Sequence, residues 1–374
     1  MKHNWEYKRL GDVCDFERGV TYTKSDENQE PTSVVILRSN NINLSNSVLN
    51  LDNLKYLRED FELKDNKTLK KNSILICMSN GSIEHVGKTA FIDKDSNYGF
   101  GGFMGLIKPF GEIPKYIYYV FKSSIFSNFL SNLNRGANIR NLQFSKLEKL
   151  LIPVPPREVQ EQIVSELDTI TEGIAALREQ VADLDRLAQT LFYETFGDPI
   201  SNPKGWPVMK LGEVCNLKAG KAISAKDLTE NKSSGLYPCY GGNGIRGFID
   251  RKSHSGNYSI IGRQGALCGN VSLAQGDFYA TEHAIVVTPT IESNFIWMYT
   301  VLKELNLNRY AKGAAQPGIS VGVLNEIDIP VPPLSLQQRF AEQIEAIEAM
   351  KATLATQIAD AQTLLDSRMD HWFN

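Results

Sequence analysis

Short runs of β-branched and aliphatic residues alternate with turn-forming residues in the first part of the chain. The runs at 34–37, 73–78, 89–92 and 105–108 are bounded by Asn- and Gly-rich stretches, a pattern typical of strands joined by turns. Residues 114–133 follow, rich in aromatic residues and without internal Pro or Gly, which predicts one helix packed on the sheet. This part of the chain is therefore predicted to be an α+β domain.

The same order of elements occurs again later in the chain. Residues 258–261, 271–274 and 284–287 are β-prone, and residues 294–305 have a helical pattern. Each globular part ends at a Pro-Pro pair that is followed by a long segment without proline. Proline suits the first turn of a helix, so each Pro-Pro pair predicts the start of a long helix.

The two long segments carry apolar residues at a spacing of about 3.5 residues, which is typical of a two-helix seam. Residues 157–196 contain no Pro and a single Gly, Gly173, and residues 334–374 are similar, although Met350 and Lys351 blur one step. Pairing the helices removes both apolar stripes from water. Homodimerisation through either helix is the alternative. The predicted seam consists of Leu167, Ile170, Ile174, Leu177, Val181, Leu184, Ala188 and Leu191 in the first segment and Phe340, Ile344, Ile347, Leu354, Ile358, Ala361 and Leu365 in the second.

An internal duplication explains this organisation. Trp5, Leu10-Gly11, Val13-Cys14 and Gly19 recur at an offset of 201, whereas Ile-Pro-Val-Pro-Pro at 152–156 and the following Gln160 recur at an offset of 177. The predicted domains are a first globular domain at 1–151, a central long helix at 152–197, a second globular domain at 198–328 and a C-terminal long helix at 329–374. Because the chain must return along the second helix, we expect an antiparallel pair about 60 Å long with approximate two-fold symmetry.

The charge of the chain follows this division. The net charge is -3, but residues 1–150 carry +4 and 201–330 carry +3, while 151–200 carry -7 and 331–374 carry -3. The globular parts are therefore mildly basic, as expected for nucleic-acid contact, and the helices are acidic. Five cysteines without a C-x-x-C pair predict buried free thiols. We find no apolar stretch long enough for a membrane span and no signal-peptide pattern, so we expect a cytoplasmic protein.

Several segments together resemble a known family. They are the tandem layout, both Ile-Pro-Val-Pro-Pro segments with Gln160 and Gln337, the junction at 196–206, and Tyr-Gly-Gly-Asn-Gly-Ile at 240–245. These segments resemble the specificity subunits of bacterial Type I restriction-modification enzymes over the whole chain. The resemblance implies that each globular part reads one half of a bipartite DNA site, and that the helices act as a spacer and dock two adenine-N6 methyltransferase subunits.

The resemblance also implies where the chemistry lies. S-adenosylmethionine would belong to the modification subunits, and ATP with Mg to a restriction subunit where one is present, so this chain is expected to be non-catalytic and to bind no cofactor. Its Pro-Pro pairs follow Val154 and Val331 and so lack the Asp/Asn-Pro-Pro-aromatic motif of a methyltransferase. The segment 81–89 resembles a phosphate-binding loop but is one residue too long and leads into a predicted strand. A coiled-coil scaffold that binds protein or glycan, and a self-sufficient enzyme, are the alternatives.

Candidate DNA-binding residues are polar or basic side chains in the predicted loops. His85 and His283 lack clustered partners and are not predicted to bind metal. The candidates are Ser79, Asn80, His85, Lys88, Arg135, Asn138, Arg140 and Asn141 in the first part and Tyr240, Asn243, Arg246, Arg263, Gln264, Thr281, His283, Lys312 and Gln316 in the second.

Overall fold

The computed structural model describes residues 5–44, 46–134, 141–313 and 317–374. The chain forms two compact units, the first made of residues 1–176 and 357–374 and the second of residues 177–356. Each unit contains one α+β head and parts of two long helices. We call residues 5–156 the first head and residues 198–333 the second head.

The helices confirm the two predicted long segments. They are α1 (Pro114–Lys122), α2 (Ser124–Asn134), α3 (Phe144–Leu147), α4 (Arg157–Phe196), α5 (Leu211–Val214), α6 (Phe295–Glu304), α7 (Val321–Asn325) and α8 (Leu334–Phe373). The prediction of a single helix over 114–133 is wrong, because Ser123 adopts an extended backbone and separates α1 from α2. Its buried hydroxyl donates to the Val120 carbonyl at 2.7 Å, which closes the end of α1.

The first head is built on two four-stranded sheets. Its strands are β1 (Glu6–Arg9), β2 (Cys14–Arg18), β3 (Glu27–Asn28), β4 (Val35–Leu37), β5 (Lys55–Leu57), β6 (Ser73–Cys77), β7 (Thr89–Ile92), β8 (Gly99–Phe100), β9 (Met104–Pro109) and β10 (Leu151–Val154). One sheet is antiparallel with the order β2-β9-β6-β7, the other has the order β3-β5-β4-β8, and β1 pairs with β10. Side chains such as Leu37, Leu75 and Phe100 pack together in a single buried core cluster to which both sheets contribute.

The second head repeats this plan. Its strands are β11 (Val208–Lys210), β12 (Cys215–Ala219), β13 (Tyr237–Gly241), β14 (Gly244–Ile249), β15 (His254–Ser255), β16 (Tyr258–Gly262), β17 (Val271–Ala274), β18 (Asp277–Ala280), β19 (Ala284–Pro289) and β20 (Asp328–Pro330). The order β12-β19-β16-β17 matches β2-β9-β6-β7, and β11 pairs with β20 as β1 pairs with β10. The strands predicted in both heads are confirmed, and so is the α+β class.

Two repeated residues have matching structural reasons. A Cβ atom at Gly19 would overlap with the Gly101 carbonyl, and one at Gly220 would overlap with the Ala280 carbonyl. Gly19 directly follows β2 and lies against the end of β8, and Gly220 directly follows β12 and lies against the end of β18. At both places the backbones are so close that only glycine fits.

The repeated glutamines attach each head to its long helix. Gln160, which is 1% exposed, accepts from the Ile113 N–H at 3.1 Å and donates to the Pro155 carbonyl at 2.9 Å. Gln337 accepts from the Asn294 N–H at 2.9 Å and donates to the carbonyl of residue 332, also at 2.9 Å. In the first head this buried glutamine joins the start of α4 to the loop before α1, and in the second head it joins the start of α8 to the loop before α6. This shared role explains why a glutamine recurs after each Ile-Pro-Val-Pro-Pro segment.

Contacts within each unit show that α4 and α8 run antiparallel. In the first unit the guanidinium of Arg368 is hydrogen-bonded to the carboxylate of Glu166, and Trp372 and Phe373 lie in the core of the first head. In the second unit Lys351 contacts Asp185 at 2.7 Å. Phe196 packs on Phe340 with ring centroids 5.2 Å apart. Residues later in α4 thus meet residues earlier in α8.

The predicted seam residues lie along these two helices. Leu167, Ile174, Phe340 and Ile347 are buried. The remaining seam residues are half-buried: Ile170, Leu177, Val181, Leu184, Ala188, Leu191, Ile344, Leu354, Ile358, Ala361 and Leu365. In a two-helix seam each apolar side chain is covered only by the facing helix, so partial exposure of many seam residues is expected.

The first copy of the duplicated sequence is longer than the second, because the repeat has an offset of 201 at its start and 177 at its end. Most of the additional residues lie in one connection. Leu37 and Tyr240 occupy equivalent places because each pairs in parallel with a matching strand, β8 or β18. Cys77 and Gly262 are equivalent through their pairing with β9 and β19. Cys77 comes 40 residues after Leu37, whereas Gly262 comes 22 residues after Tyr240, so the connection from β4 to β6 is 18 residues longer than its equivalent in the second head.

Candidate nucleic-acid interface

The same turn is built by the same backbone hydrogen bonds in both heads. In the first head the N–H of Gly101 donates to Leu37 at 2.9 Å and the Phe103 carbonyl accepts from Met78 at 2.8 Å. In the second head the N–H of Thr281 donates to the Tyr240 carbonyl at 2.9 Å, and the carbonyl of residue 283 accepts from the N–H of residue 263 at 2.9 Å. We call residues 101–103 the first turn and residues 281–283 the second turn. Phe103 and His283 therefore occupy equivalent positions.

A second loop meets this turn in each head. In the first head Ser79 forms a β-bridge with Asn141, and the Leu142 N–H donates to the Met78 carbonyl at 2.7 Å. In the second head the Ile319 N–H donates to the Arg263 carbonyl at 2.9 Å. Two regions that are more than 50 residues apart in the sequence are therefore adjacent in each head.

These loops border a groove of about 750 Å³ in the first head. Arg18 and Arg38 supply positive charge, and Phe103 at its edge is 71% exposed. Within the described residues, Nε of Arg38 is buried and has no hydrogen-bond partner. The groove combines cationic donors and an aromatic face, the two side-chain types that contact phosphates and bases. It is lined by Arg18, Val20, Thr21, Tyr22, Glu27, Arg38, Ser39, Asn40, Ser79, Asn80, Gly81, Gly101, Gly102, Phe103 and Met104.

Most of the DNA-binding residues predicted in the second head lie at the corresponding place. A Cβ at Gly262 would overlap with the carbonyl of Gly242, so the β13–β14 hairpin lies directly on the loop that carries Arg263 and Gln264. Gly318 pairs with both Gln264 and Lys312. Asn243 accepts from the Asn270 amide at 3.0 Å. Exposed side chains on this surface are Asn243, Arg246, Gln264 and Lys312.

Some candidates in the first head have structural partners. Lys88 donates to the Ile42 carbonyl at 2.8 Å, and burial lowers its pKa, so it holds the long β4–β6 connection in place. Asn80 donates to the Ser39 hydroxyl at 2.7 Å at the groove. His85 is half-buried, with its Nε2 3.8 Å from the Glu84 carboxylate. Arg135, Asn138, Arg140 and, in the second head, Gln316 lie outside the described residues.

Two candidates in the second head are unsuited to reading DNA. Thr281 is 0% exposed, and its hydroxyl lies 3.4 Å from the His283 N–H inside the second turn. Tyr240 is buried, and its hydroxyl donates to the Leu273 carbonyl at 3.3 Å. Both side chains support the surface from below, so we exclude them from the proposed DNA contacts.

Sequence reasoning missed Arg18, Arg38, Asn40 and Phe103. The available signal for Arg38 was its position directly after the buried strand β4, similar to that of Ser79, which lies two residues after β6. Phe103 lies in a glycine-rich run that was interpreted only as a turn. Its exposure depends on the hydrogen bonds to β6, which no local pattern reveals.

No group of three or more potential metal ligands occurs in the described part of the chain. All five cysteines are buried free thiols, as predicted, and burial raises the pKa of Cys14 and Cys215 to about 12. Among the described residues, no helix is long and apolar enough to cross a membrane.

Two heads of one architecture, each carrying a cluster of polar and basic loops, place the chain in a class of proteins built from a duplicated α+β domain and two long helices. The family model for the Type I restriction modification DNA specificity domain matches residues 2–184 and again 203–361. The chain therefore belongs to this family, as the sequence resemblance predicted.

Individual relatives agree with this assignment. The chain is 36% identical over 225 residues to the Type I restriction enzyme EcoprrI specificity subunit of Escherichia coli, covering 57% of this chain and 56% of that protein. It is 30% identical over 194 residues to the StySPI specificity subunit of Salmonella potsdam, covering 51% and 41%. The chain thus spans about half the length of these relatives. The crystal structure of a Type-I restriction-modification S subunit from M. genitalium matches with a TM-score of 0.60 at 18% identity, covering 100% of this chain and 97% of that one, and shows that the fold is shared.

Proposed function

We propose that this chain is the DNA sequence-recognition subunit of a Type I restriction-modification complex. The observation that carries the proposal is the equivalent surface in each head, where a rigid turn and a polar loop meet beside basic side chains. Base edges are read by Arg, Asn and Gln, and the two heads differ in these residues, so each head would read a different half-site. The proposed division is 1–151 and 198–328 for reading, and 152–197 and 329–374 for the spacer.

Family membership supports a proposal for the partners and the chemistry. Two adenine-N6 methyltransferase subunits would dock on the helices and supply the S-adenosylmethionine site, and a restriction subunit would supply ATP hydrolysis where it is present. This chain would contribute no catalytic residue. Because its target is chromosomal DNA in a bacterial cell, we place the complex in the cytoplasm.

Methylation mapping with the complete complex tests the function. The expected result is transfer to adenines in a bipartite sequence with two unlike halves and a non-specific spacer of fixed length. Failure to select any DNA sequence, together with binding to a protein or a glycan, would favour the scaffold alternative. Methyl transfer by the purified chain alone would favour the self-sufficient enzyme.

A paired substitution tests the reading surface. Arg246 is exposed beside Gly241 on the proposed surface, whereas Arg251 is held by Asp227 at 2.9 Å and also contacts Asp250. Arg246→Ala should weaken binding of the second half-site by about 1–3 kcal/mol, as for loss of one good base or phosphate contact. The matched control Arg251→Ala should change binding little. Equal effects of the two substitutions would contradict the assigned surface.

Lengthening both helices tests the spacer. Gly173 lies seven residues after Glu166, and Ala361 lies seven before Arg368, so the two positions are opposite in the antiparallel register. Inserting seven residues after each position preserves the 3.5-residue seam and adds about 10 Å, equal to about three base pairs. The spacer should lengthen accordingly with both half-sites unchanged. Altered half-sites would refute the proposed division of labour.

A further inference from the structure

An exposed phenylalanine is held in a fixed position at the groove of the first head. The Phe103 side chain is 71% exposed, while its carbonyl accepts from the N–H groups of Met78 at 2.8 Å and Ser79 at 3.1 Å. A large apolar side chain on a hydrogen-bonded backbone is suited to contact a partner, because little backbone freedom remains to be lost on binding.

The second head places a different side chain at the same position. The first turn has the sequence Gly-Gly-Phe and the second turn has Thr-Glu-His, although both have equivalent backbone hydrogen bonds. The side chain of His283 is 37% exposed and contacts the Glu282 carboxylate at 3.2 Å. A position whose backbone is the same in both heads, but whose side chain differs, is well suited to distinguish one half-site from another.

The surroundings of Phe103 favour duplex DNA as the partner. The Arg18 guanidinium donates to the Gly102 carbonyl at 3.4 Å, which brings a cation beside the turn. Arg38 and Asn40 line the same groove. Cationic donors next to an apolar side chain match phosphates next to a base edge, where Phe contacts a thymine methyl group or packs against a base step.

We propose that the first and second turns are specificity-determining elements, with Phe103 contacting a base of the first half-site and His283 occupying the equivalent place on the second. This inference rests on the proposed function and adds to it the residues that distinguish the two half-sites.

Exchange of the two side chains tests the inference. The variants are Phe103→Ala, Phe103→His and His283→Phe, each assembled with the modification subunits. Binding is selected from duplexes randomised in both half-sites. The control is Phe110→Ala, because Phe110 is 46% exposed and follows the opposite end of β9. Thermal unfolding of each complex verifies that it has folded.

The expected result is local and specific to one head. Phe103→Ala should reduce discrimination by about tenfold at one or two adjacent positions of the first half-site, in line with the usual cost of one mismatched base pair. Phe103→His should alter the preference at the same positions. His283→Phe should change only the second half-site, and Phe110→Ala should leave both unchanged.

Three results would overturn the inference: a Phe103→Ala profile identical to that of Phe110→Ala, equal weakening on every duplex, or a change in the second half-site. The proposed function fails differently, because the wild-type complex would then select no bipartite sequence.

Discussion

Replacing Trp372 by alanine should destabilise the first unit selectively. Trp372 is 8% exposed in the core of the first head, stacks on Trp5 with ring centroids 6.4 Å apart, and donates its indole N–H to Glu166 at 2.9 Å. Removing a buried Trp side chain costs about 3–5 kcal/mol, and part of this cost reflects the cavity that remains. That loss raises the opening equilibrium of the first unit by roughly 100- to 5,000-fold.

Native-state hydrogen exchange measures this effect unit by unit. Amides of β6 and α1 should exchange faster in Trp372→Ala, while those of β16 and α6 in the second unit should be unchanged. Leu364→Ala is the matched control, because Leu364 lies on the same helix and is 50% exposed, so its loss should cost less than about 1 kcal/mol. Equal exchange in the two variants, or equal loss in both units, would refute the packing argument.

Further predictions concern the long helices. Gln337→Leu leaves the partly buried Asn294 N–H and the buried carbonyl of residue 332 without their partner, and it should reduce the free energy of unfolding of the second unit by about 1–3 kcal/mol in urea; a loss below about 0.5 kcal/mol would contradict this. The Arg368 guanidinium lowers the pKa of Glu166 from 4.5, so stability that is present above this value should be lost as the pH falls through the lower folded pKa. The Tm of Glu166→Gln should therefore depend less on pH below about 4.5, and identical profiles would show that the pair is not coupled to folding. Gly173 has open space around its Cβ position, so Gly173→Ala should stabilise the helix by about 0.5–1 kcal/mol, and a lower Tm would be inconsistent with the exposed placement.

The long helices could be predicted from sequence because their signal is local. The 3.5-residue period and the absence of proline specify α4, and the duplication fixes the place of α8. The break at Ser123 was missed, because it depends on a buried hydroxyl that closes α1 rather than on a Pro or Gly. The repeat marked Gln160 and Gln337, but their role became clear only from hydrogen bonds to residues more than 40 positions away.

The site could be predicted only in part, for the same reason. Gly-flanked polar residues such as Gln264 were found because turns leave a sequence signature. Thr281 was also predicted as a polar loop residue, yet it is fully buried under its turn. Phe103 lacks the signature of a DNA-contacting residue and becomes a candidate only when the backbone that exposes it is known. Burial of a loop side chain depends on tertiary contacts, which the local pattern does not encode.

The two units differ in how their sequence is distributed. Residues 177–356 form the second unit as one continuous stretch, whereas the first unit combines residues 1–176 with 357–374. Domains generally fold in the order in which they leave the ribosome, but the first unit must wait for Trp372 and Phe373 to emerge. Residues 357–374 are synthesised after the second unit and complete the first, so we expect the second unit of a nascent chain to fold before the first.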